Sequence, residues 1–479
     1  MKKPKRALEN AAWVGISLDR YGSESLYMQL YELVKRKIEA GSLGAGIRLP
    51  SSRSFAAELG IARATVTAAY EQLVAEGYVS SRHGARLEVN ELHTIPSASP
   101  APLAPCPPVV KPAPPMLLTP GIPDARLFPN AAWIKSAIRS WRSGPGVVGD
   151  YDPAGAYQLR RAIAGHLLEW RGIEADPDQI IITAGSAGAL QLILDTLTER
   201  GDAIAAEEPG YPAFHRLADR RGLRVALLPV DEEGMAVEAL RDCSPKPRLC
   251  VVTPSHQYPA GVAMSIGRRR QLLEWAAECG ALIVEDDYDS QFRYDGRPLP
   301  ALLSVAPVGS VVYVGTTSKV FSPSMRIGYI VSPRHLVEPL RAMASDLEQR
   351  ASIIPQYPLA HMIESGEYAR HLRRMRRTHR ERRRVLFNLL KLHVPRSYLE
   401  VRTQAAGLHA LARLGPSLAD VEDKVLEARC RTKGLGILAL SSFYRGENKQ
   451  QGLLLGFAAF DEKELTEGVR RLASAVLSE

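Results

Sequence analysis

The stretch VYVGTTSKVFSPSMRIGYIV, residues 312–331, decides how this chain is read. The apolar run Val311–Val314 leads into small and hydroxylated residues. Lys319 follows, Arg326 comes seven positions later, and a second apolar run, Ile327–Val331, closes the stretch. Short apolar runs bounded by small residues read as buried strands. The turn between them then gathers a threonine, a lysine and an arginine at strand ends. A lysine whose surroundings let it lose its proton can form a Schiff base with an aldehyde. Thr316 and Arg326 offer a hydroxyl and a guanidinium to a phosphate. Taken alone, the stretch also fits a purely structural turn.

Three further stretches answer to the first. LIVEDDYDSQFRY (282–294) ends a buried strand in carboxylates, which is costly unless they are paired. Asp286 suits a pyridinium nitrogen, and Tyr288, two residues on, suits a phenolic oxygen. IIITAGSAGAL (180–190) reads as strand, small-residue turn and helix, so the free amides of Ser186 and Ala187 would cradle phosphate. EEPGYPAF (207–214) places Tyr211 where an aromatic can stack on a ring. Each has a bland structural alternative. Four in this order, each at a strand, describe a pyridoxal-phosphate pocket. The strands around them, Ile180–Thr183, Ala203–Ala206, Val225–Leu228, Cys250–Thr253, Leu282–Val284, Val311–Val314 and Ile327–Val331, alternate with helical stretches and predict a largely parallel α/β sheet.

Between Pro96 and Pro115 nine of twenty residues are proline, which predicts an extended spacer. Ahead of it, Leu26, Leu30, Val34 and Ile38 share one face of a helix. A short second helix follows Pro50-Ser51 with Phe55 and Leu59 inward. Gly60 stops it, and a third helix carries Val66, Tyr70 and Leu73. Strands at Gly77–Val79 and Leu87–Val89 with a turn at His83-Gly84 complete a winged helix-turn-helix.

The 479 residues exceed one ordinary domain, and a formal charge of +9 with pI near 9.3 suits a polyanionic partner without proving one. Cys106, Cys243, Cys250, Cys279 and Cys430 have no metal-ligand spacing, so no metal site is expected. Neither a signal peptide nor a membrane-length apolar run is present, and a cytoplasmic protein with no membrane contact is expected.

RLPSSRSFAAELGIARATVTAAYEQLVAEGYVSSRHG (48–84) resembles the GntR family of regulators. The resemblance implies double-stranded operator DNA as partner. Arg53 and Arg63 would contact it from helix starts, Thr65 and Thr67 from the exposed face of the recognition helix, and His83-Gly84 from the minor groove. Residues 116–479, above all TPSHQYPAGVAM, EDDYDSQFRYDGRPLPAL and GTTSKVFSPSMRIGYIV, resemble fold-type I aminotransferases. Joined, the two halves resemble the MocR subfamily. The implied fold is multidomain: an α+β winged helix-turn-helix (25–91) after an N-terminal arm (1–24), a Pro-rich linker (92–116) and an α/β aminotransferase-like domain (117–479) with a small subdomain from about 385. By the same resemblance the cofactor is pyridoxal 5'-phosphate. Lys319 would carry the aldimine, Asp286 pair with the ring nitrogen, Tyr288 meet the phenolic oxygen and Arg326 bind phosphate. A homodimer is implied, sensing a small amino compound or the vitamin itself.

The chain departs from the aminotransferase pattern at three places. Tyr258 stands where an Asn precedes the family's Pro, Asp150 holds the place of a tyrosine now shifted to Tyr151, and Leu454 replaces the carboxylate-binding arginine. Arg402, Arg413 and Arg445 are open as substitutes. Nine arginines between Arg370 and Arg384 read as a solvated or paired helix face in preference to a second DNA surface. An aminotransferase with an N-terminal extension remains the rival reading. A DNA-binding protein with a purely structural cofactor fold would not need Lys319 and Asp286.

Overall fold

The computed structural model describes residues 13, 16–81, 86–91, 115–142, 149, 152–296, 299–346, 351–401 and 405–477. The chain divides into two compact units, Met1–Lys111 and Pro112–Glu479. The proline-rich segment from 96 to 114, together with Asp150 and Tyr151, lies outside the described residues.

In the first unit, helices α1 (Leu26–Glu39), α2 (Ser52–Leu59) and α3 (Arg63–Ala75) are followed by β1 (Val79–Ser80) and β2 (Glu88–Val89), paired antiparallel. Ser51 caps α2 by accepting the Ser54 N–H at 3.1 Å. Gly60, at φ 63°, ends it in the left-handed region that favours glycine. Leu30, Val34, Phe55, Val66 and Leu73 are buried between the helices. Part of the N-terminal arm contributes to this core. Trp13 packs edge-on against Phe55 at 5.2 Å, and Ile16 and Leu18 join it. Arg20 donates to the Gly60 carbonyl at 2.7 Å. This apolar stretch has no helical or strand periodicity, and so only tertiary packing reveals its role.

The second unit is built on an eight-stranded sheet of order β3-β10-β9-β8-β7-β4-β5-β6. The strands are β3 (Ile180–Thr183), β4 (Ala203–Glu208), β5 (Arg224–Asp231), β6 (Gly234–Met235), β7 (Leu249–Val252), β8 (Leu282–Asp287), β9 (Val311–Thr316) and β10 (Gly328–Val331). From β9 across to β5 the pairing is parallel. β10 runs antiparallel to both β9 and β3, and β6 antiparallel to β5. A largely parallel sheet therefore holds for its centre only. The turn carrying Lys319 is too short for a crossover helix, so the chain must return antiparallel.

Around the sheet lie α4 (Asn130–Arg142), α5 (Tyr157–Arg171), α6 (Gly185–Leu197), α7 (Pro212–Arg221), α8 (Ile266–Cys279), α9 (Arg334–Asp346) and α10 (Gln356–Glu364). The 27-residue α11 (Glu367–His393) leads to a four-stranded sheet. It comprises β11 (Leu399–Val401), β12 (His409–Leu414), β13 (Leu438–Ala439) and β14 (Gly452–Gly456), in order β11-β12-β14-β13 and backed by α12 (Asp423–Thr432) and α13 (Glu462–Val476).

The arginine run fastens α11. Arg376 and Arg380 each donate at 2.7 Å to the carbonyls of Arg293 and Tyr294. Arg382 and Arg383 pair with Asp124 and Asp295, each at 2.7 Å, and Arg374 reaches the Leu127 carbonyl.

Candidate functional site

The C-terminal ends of β8 and β9, the start of α6 and the entry to α7 open onto one cavity of about 270 Å³. Ser186, Ala187, Tyr211, Asp286, Tyr288, Thr316, Lys319 and Arg326 all line it. Side-chain alternation along β8 sorts the acidic cluster that the sequence presents as one run. Glu285 accepts the Leu302 and Leu303 amides at 3.0 and 2.9 Å, and Asp287 accepts the Tyr313 hydroxyl at 2.6 Å and pairs with Arg171 at 3.0 Å. Asp286 points to the other side. Its Oδ1 is buried without a hydrogen-bond partner among the described residues. Burial, then the nearby Asp287 and Glu207 carboxylates, push its carboxyl up to about 7. A buried acceptor left open in this way fits a cationic N–H donor such as a pyridinium.

Lys319 Nζ donates to the Gly121 carbonyl at 2.5 Å. Burial lowers its ammonium below the ordinary lysine range, against the opposing pull of Asp289 and Asp286. That shift favours the neutral amine a nucleophile needs.

Phosphate-binding chemistry gathers where β10 meets α6. A Cβ on Gly328 would lie 2.6 Å from the Gly185 carbonyl carbon and 2.9 Å from the Ser186 nitrogen, so glycine is required for this approach. It brings Thr316, opposite Gly328 in the ladder, to the first-turn amides of α6. Ser318 N–H donates to Thr316 Oγ1 at 3.2 Å. Arg326 is exposed and sits at φ 51°, rare for a side-chain-bearing residue. Free amides, hydroxyls and a guanidinium together make an anion site.

Tyr258 forms an aromatic wall of the cavity. Its ring meets those of Phe443, Tyr288, His409 and Tyr211 at 5.3, 5.5, 5.6 and 6.1 Å. The neighbouring Gln257 amide does not replace the missing asparagine, being spent on Glu207 and on the Pro209 and Tyr258 carbonyls. Leu454 is buried with Leu411, Leu440 and Phe443, against Tyr258. Arg445 pairs with Asp219 at 2.9 Å, Arg413 lines a separate cavity, and Arg402 lies outside the described residues.

In the first unit Arg53 and Arg63 are exposed at the starts of α2 and α3, and Arg63 Nε donates to Ser52 Oγ at 3.3 Å. Thr65 and Thr67 do not share an exposed face. Two positions apart on a helix is about 200° of rotation, so both sit half-buried on its shoulders. Thr67 Oγ1 also donates back to the Arg63 carbonyl at 3.0 Å. His83 and Gly84 lie outside the described residues.

The profile of bacterial regulatory proteins of the gntR family matches residues 26–89, and that of aminotransferase class I and II matches residues 116–472. The probable rhizopine catabolism regulatory protein MocR of Rhizobium meliloti is 35% identical, over 96% of each chain. The pyridoxine biosynthesis transcriptional regulator PdxR of Corynebacterium glutamicum is 34% identical, over 96% of this chain and 98% of its own. The chain belongs to the MocR-type transcription regulators.

The fold agrees with that family. LysN, the α-aminoadipate aminotransferase of Thermus thermophilus, solved with N-(5'-phosphopyridoxyl)-L-leucine, superposes with a TM-score of 0.68 at 25% identity, over 76% of this chain and 92% of its own. In this MocR-type regulator, reading the sequence missed several cavity residues: Thr253, Ser318, Leu408 and His409. It also missed His256 and Asp289, which stand behind Tyr288. Leu408 and His409 come from the small sheet, more than a hundred positions from Asp286, and only the fold brings them in. His256 and Asp289 lie inside quoted motifs, where a histidine and an aspartate close to Tyr288 were a usable signal. No helix among the described residues is long and apolar enough to cross a membrane, and none of their His, Cys, Asp and Glu side chains group to hold a metal.

Proposed function

We propose that this regulator binds pyridoxal 5'-phosphate in the cavity, senses a small amino compound or the vitamin itself through covalent chemistry at Lys319, and acts as a homodimer on double-stranded operator DNA. One observation carries the reading. A buried acceptor with no partner among the described residues, a lysine with a lowered affinity for its proton and a cluster of anion-binding groups line the same cavity. When bound, the cofactor supplies an aldehyde able to condense with amines. Asp286 would hold a proton on the ring nitrogen. Arg326, Thr316, Ser318 and the Ser186 and Ala187 amides would hold the phosphate. Lys319 would present its neutral amine, and Tyr211 and Tyr258 would exclude water from the ring.

No third lysine or arginine accompanies Lys319 and Arg326 among the described residues that line the cavity. The apolar packing of Leu454 therefore supports ligand sensing ahead of sustained turnover of α-amino acids.

Purified protein reconstituted with pyridoxal phosphate should show an absorption band near the visible edge that borohydride bleaches. Lys319→Ala should abolish the band and the effector response while leaving folding and operator binding intact. A persistent borohydride-sensitive band in Lys319→Ala would overturn the lysine assignment. Multiple turnover with an ordinary amino donor and keto acid would favour the enzyme reading instead.

A further inference from the structure

Behind Tyr288 stands a buried pair that the cofactor reading leaves unused. His256, 3% exposed, and Asp289, 2% exposed, face each other. His256 Nδ1 lies 3.0 and 3.1 Å from the two Asp289 carboxylate oxygens and 2.9 Å from Tyr288 Oη. The ring packs closely against Gly407, at φ 96°, where a Cβ would sit 2.3 Å from His256 Cε1. Gly407 is itself pinned, its carbonyl accepting the Tyr294 hydroxyl at 2.7 Å.

One proton position satisfies this geometry. His256 Nε2 is buried and has no partner among the described residues. A proton there would be an orphaned buried donor, costlier than a bare acceptor. Asp289, as a carboxylate, only accepts, and so it draws the proton to Nδ1. With Nδ1 carrying hydrogen, the nitrogen has no lone pair for the Tyr288 hydroxyl. Tyr288 Oη can then only accept a share of the Nδ1–H, which leaves the tyrosine's own proton directed elsewhere. Tyr288 lines the cofactor cavity with Lys319, Thr253 and Tyr258.

We propose that His256 and Asp289 are positioning residues that commit the Tyr288 hydroxyl to donate into the cavity, toward the group bound against Lys319. The inference rests on the pyridoxal-phosphate reading and extends it. Burial, reinforced by Asp289, Tyr258, Asp286 and Glu207, keeps the Tyr288 phenol well above its ordinary range, so it remains a donor at any working pH. His409, whose Nε2 lies 3.2 Å from the Pro259 carbonyl, is the other titratable ring beside His256.

The test reads the pH midpoint of the bound cofactor's absorption band. A donor at the cofactor's phenolic oxygen competes for the oxygen that would otherwise hold the neighbouring imine proton. Losing it in Tyr288→Phe should therefore raise the midpoint, by about one unit. His256→Leu should raise it similarly. His256→Asn, whose amide N–H can stand where Nδ1–H does, should restore it. In the Tyr288→Phe background His256→Leu should add almost nothing, because both changes remove the same hydrogen bond. A full additional shift in that background, or no shift in His256→Leu alone, overturns the proposal. Since His256→Leu strands a buried Asp289 and can unfold the protein, neutron diffraction of the deuterated wild type provides an independent reading. Deuterium on Nδ1 is expected, and deuterium on Nε2 alone overturns the proposal. If no borohydride-sensitive band forms in the wild type, it is the cofactor reading that fails, while the diffraction result still judges the His–Asp pair.

Discussion

Asp286 shows how a residue proposed for binding weighs on the fold that carries it. Its carboxyl is held at about 7 against an ordinary 3.8, chiefly by burial. Below about pH 4 it is protonated whether the chain is folded or not, and it costs the fold nothing. As pH rises from about 4 to about 7 the unfolded chain has released this proton while the folded one still holds it, and stability is lost until the folded carboxyl also ionises. The loss has a ceiling of about 4 kcal/mol for a shift of this size. Asp286→Asn should therefore raise the melting temperature of cofactor-free protein at pH 8, with the gap closing toward pH 4. The same variant should bind pyridoxal phosphate more weakly, since the neutral amide cannot hold a proton on the ring. Glu207, also pushed up to about 7 by burial, remains in the variant and keeps its own slope. An unchanged melting temperature at pH 8 would mean that the cavity already hydrates the carboxylate.

At the scale of elements, α11 and α3 carry arginines of opposite purpose. Arg382 donates to Asp124, which is 4% exposed and also accepts from Arg126, so its loss takes one of two cationic partners from a buried carboxylate. Arg382→Ala should cost about 2 kcal/mol in denaturant unfolding, the loss of one charge-assisted hydrogen bond. Arg373→Ala, at an exposed position on the same helix, should stay within about 0.5 kcal/mol. Equal costs would show that the run acts through net charge and not through specific partners. On α3, Arg63→Ala should weaken operator binding by about 1–3 kcal/mol and relax the preference at one base position, with the cofactor spectrum unchanged. Unaltered binding in a gel-shift titration would remove Arg63 from the recognition set. Periodicity made most of these elements legible. The four-residue spacing of α1, the cap and glycine of α2 and the apolar runs of the central strands follow from local sequence. The direction of β10, the packing of Trp13 and the arrival of His409 in the cavity depend on contacts between distant residues, which no local pattern encodes. Thr65 and Thr67 do not share one exposed face for a simpler reason: helical rotation separates positions two apart.

For the whole molecule, the question is how the amine chemistry proposed at Lys319 would alter transcription. The two compact units are joined through a segment whose sequence, Pro96–Pro115, carries nine prolines. An effector can shift an equilibrium only by binding two states of the protein with different affinity. The cavity supplies such a difference if an incoming amine displaces Lys319 from the cofactor. A proline-rich tether limits the positions open to the units it joins more than a glycine-serine tether does. In a homodimer, two winged units on two half-sites would then feel a change in spacing before any change at the recognition helix. Replacing Pro96–Pro115 by a glycine-serine segment of equal length should preserve the borohydride-sensitive band, dimerisation and the operator affinity of each isolated half-site. Effector-dependent transcription should be blunted, because a flexible tether dissipates the difference between the two states. The measurement is a reporter assay across effector concentrations, with sedimentation and spectra as controls. A full transcriptional response from the glycine-serine variant would exclude spacing as the signal and direct attention to contacts between the units themselves.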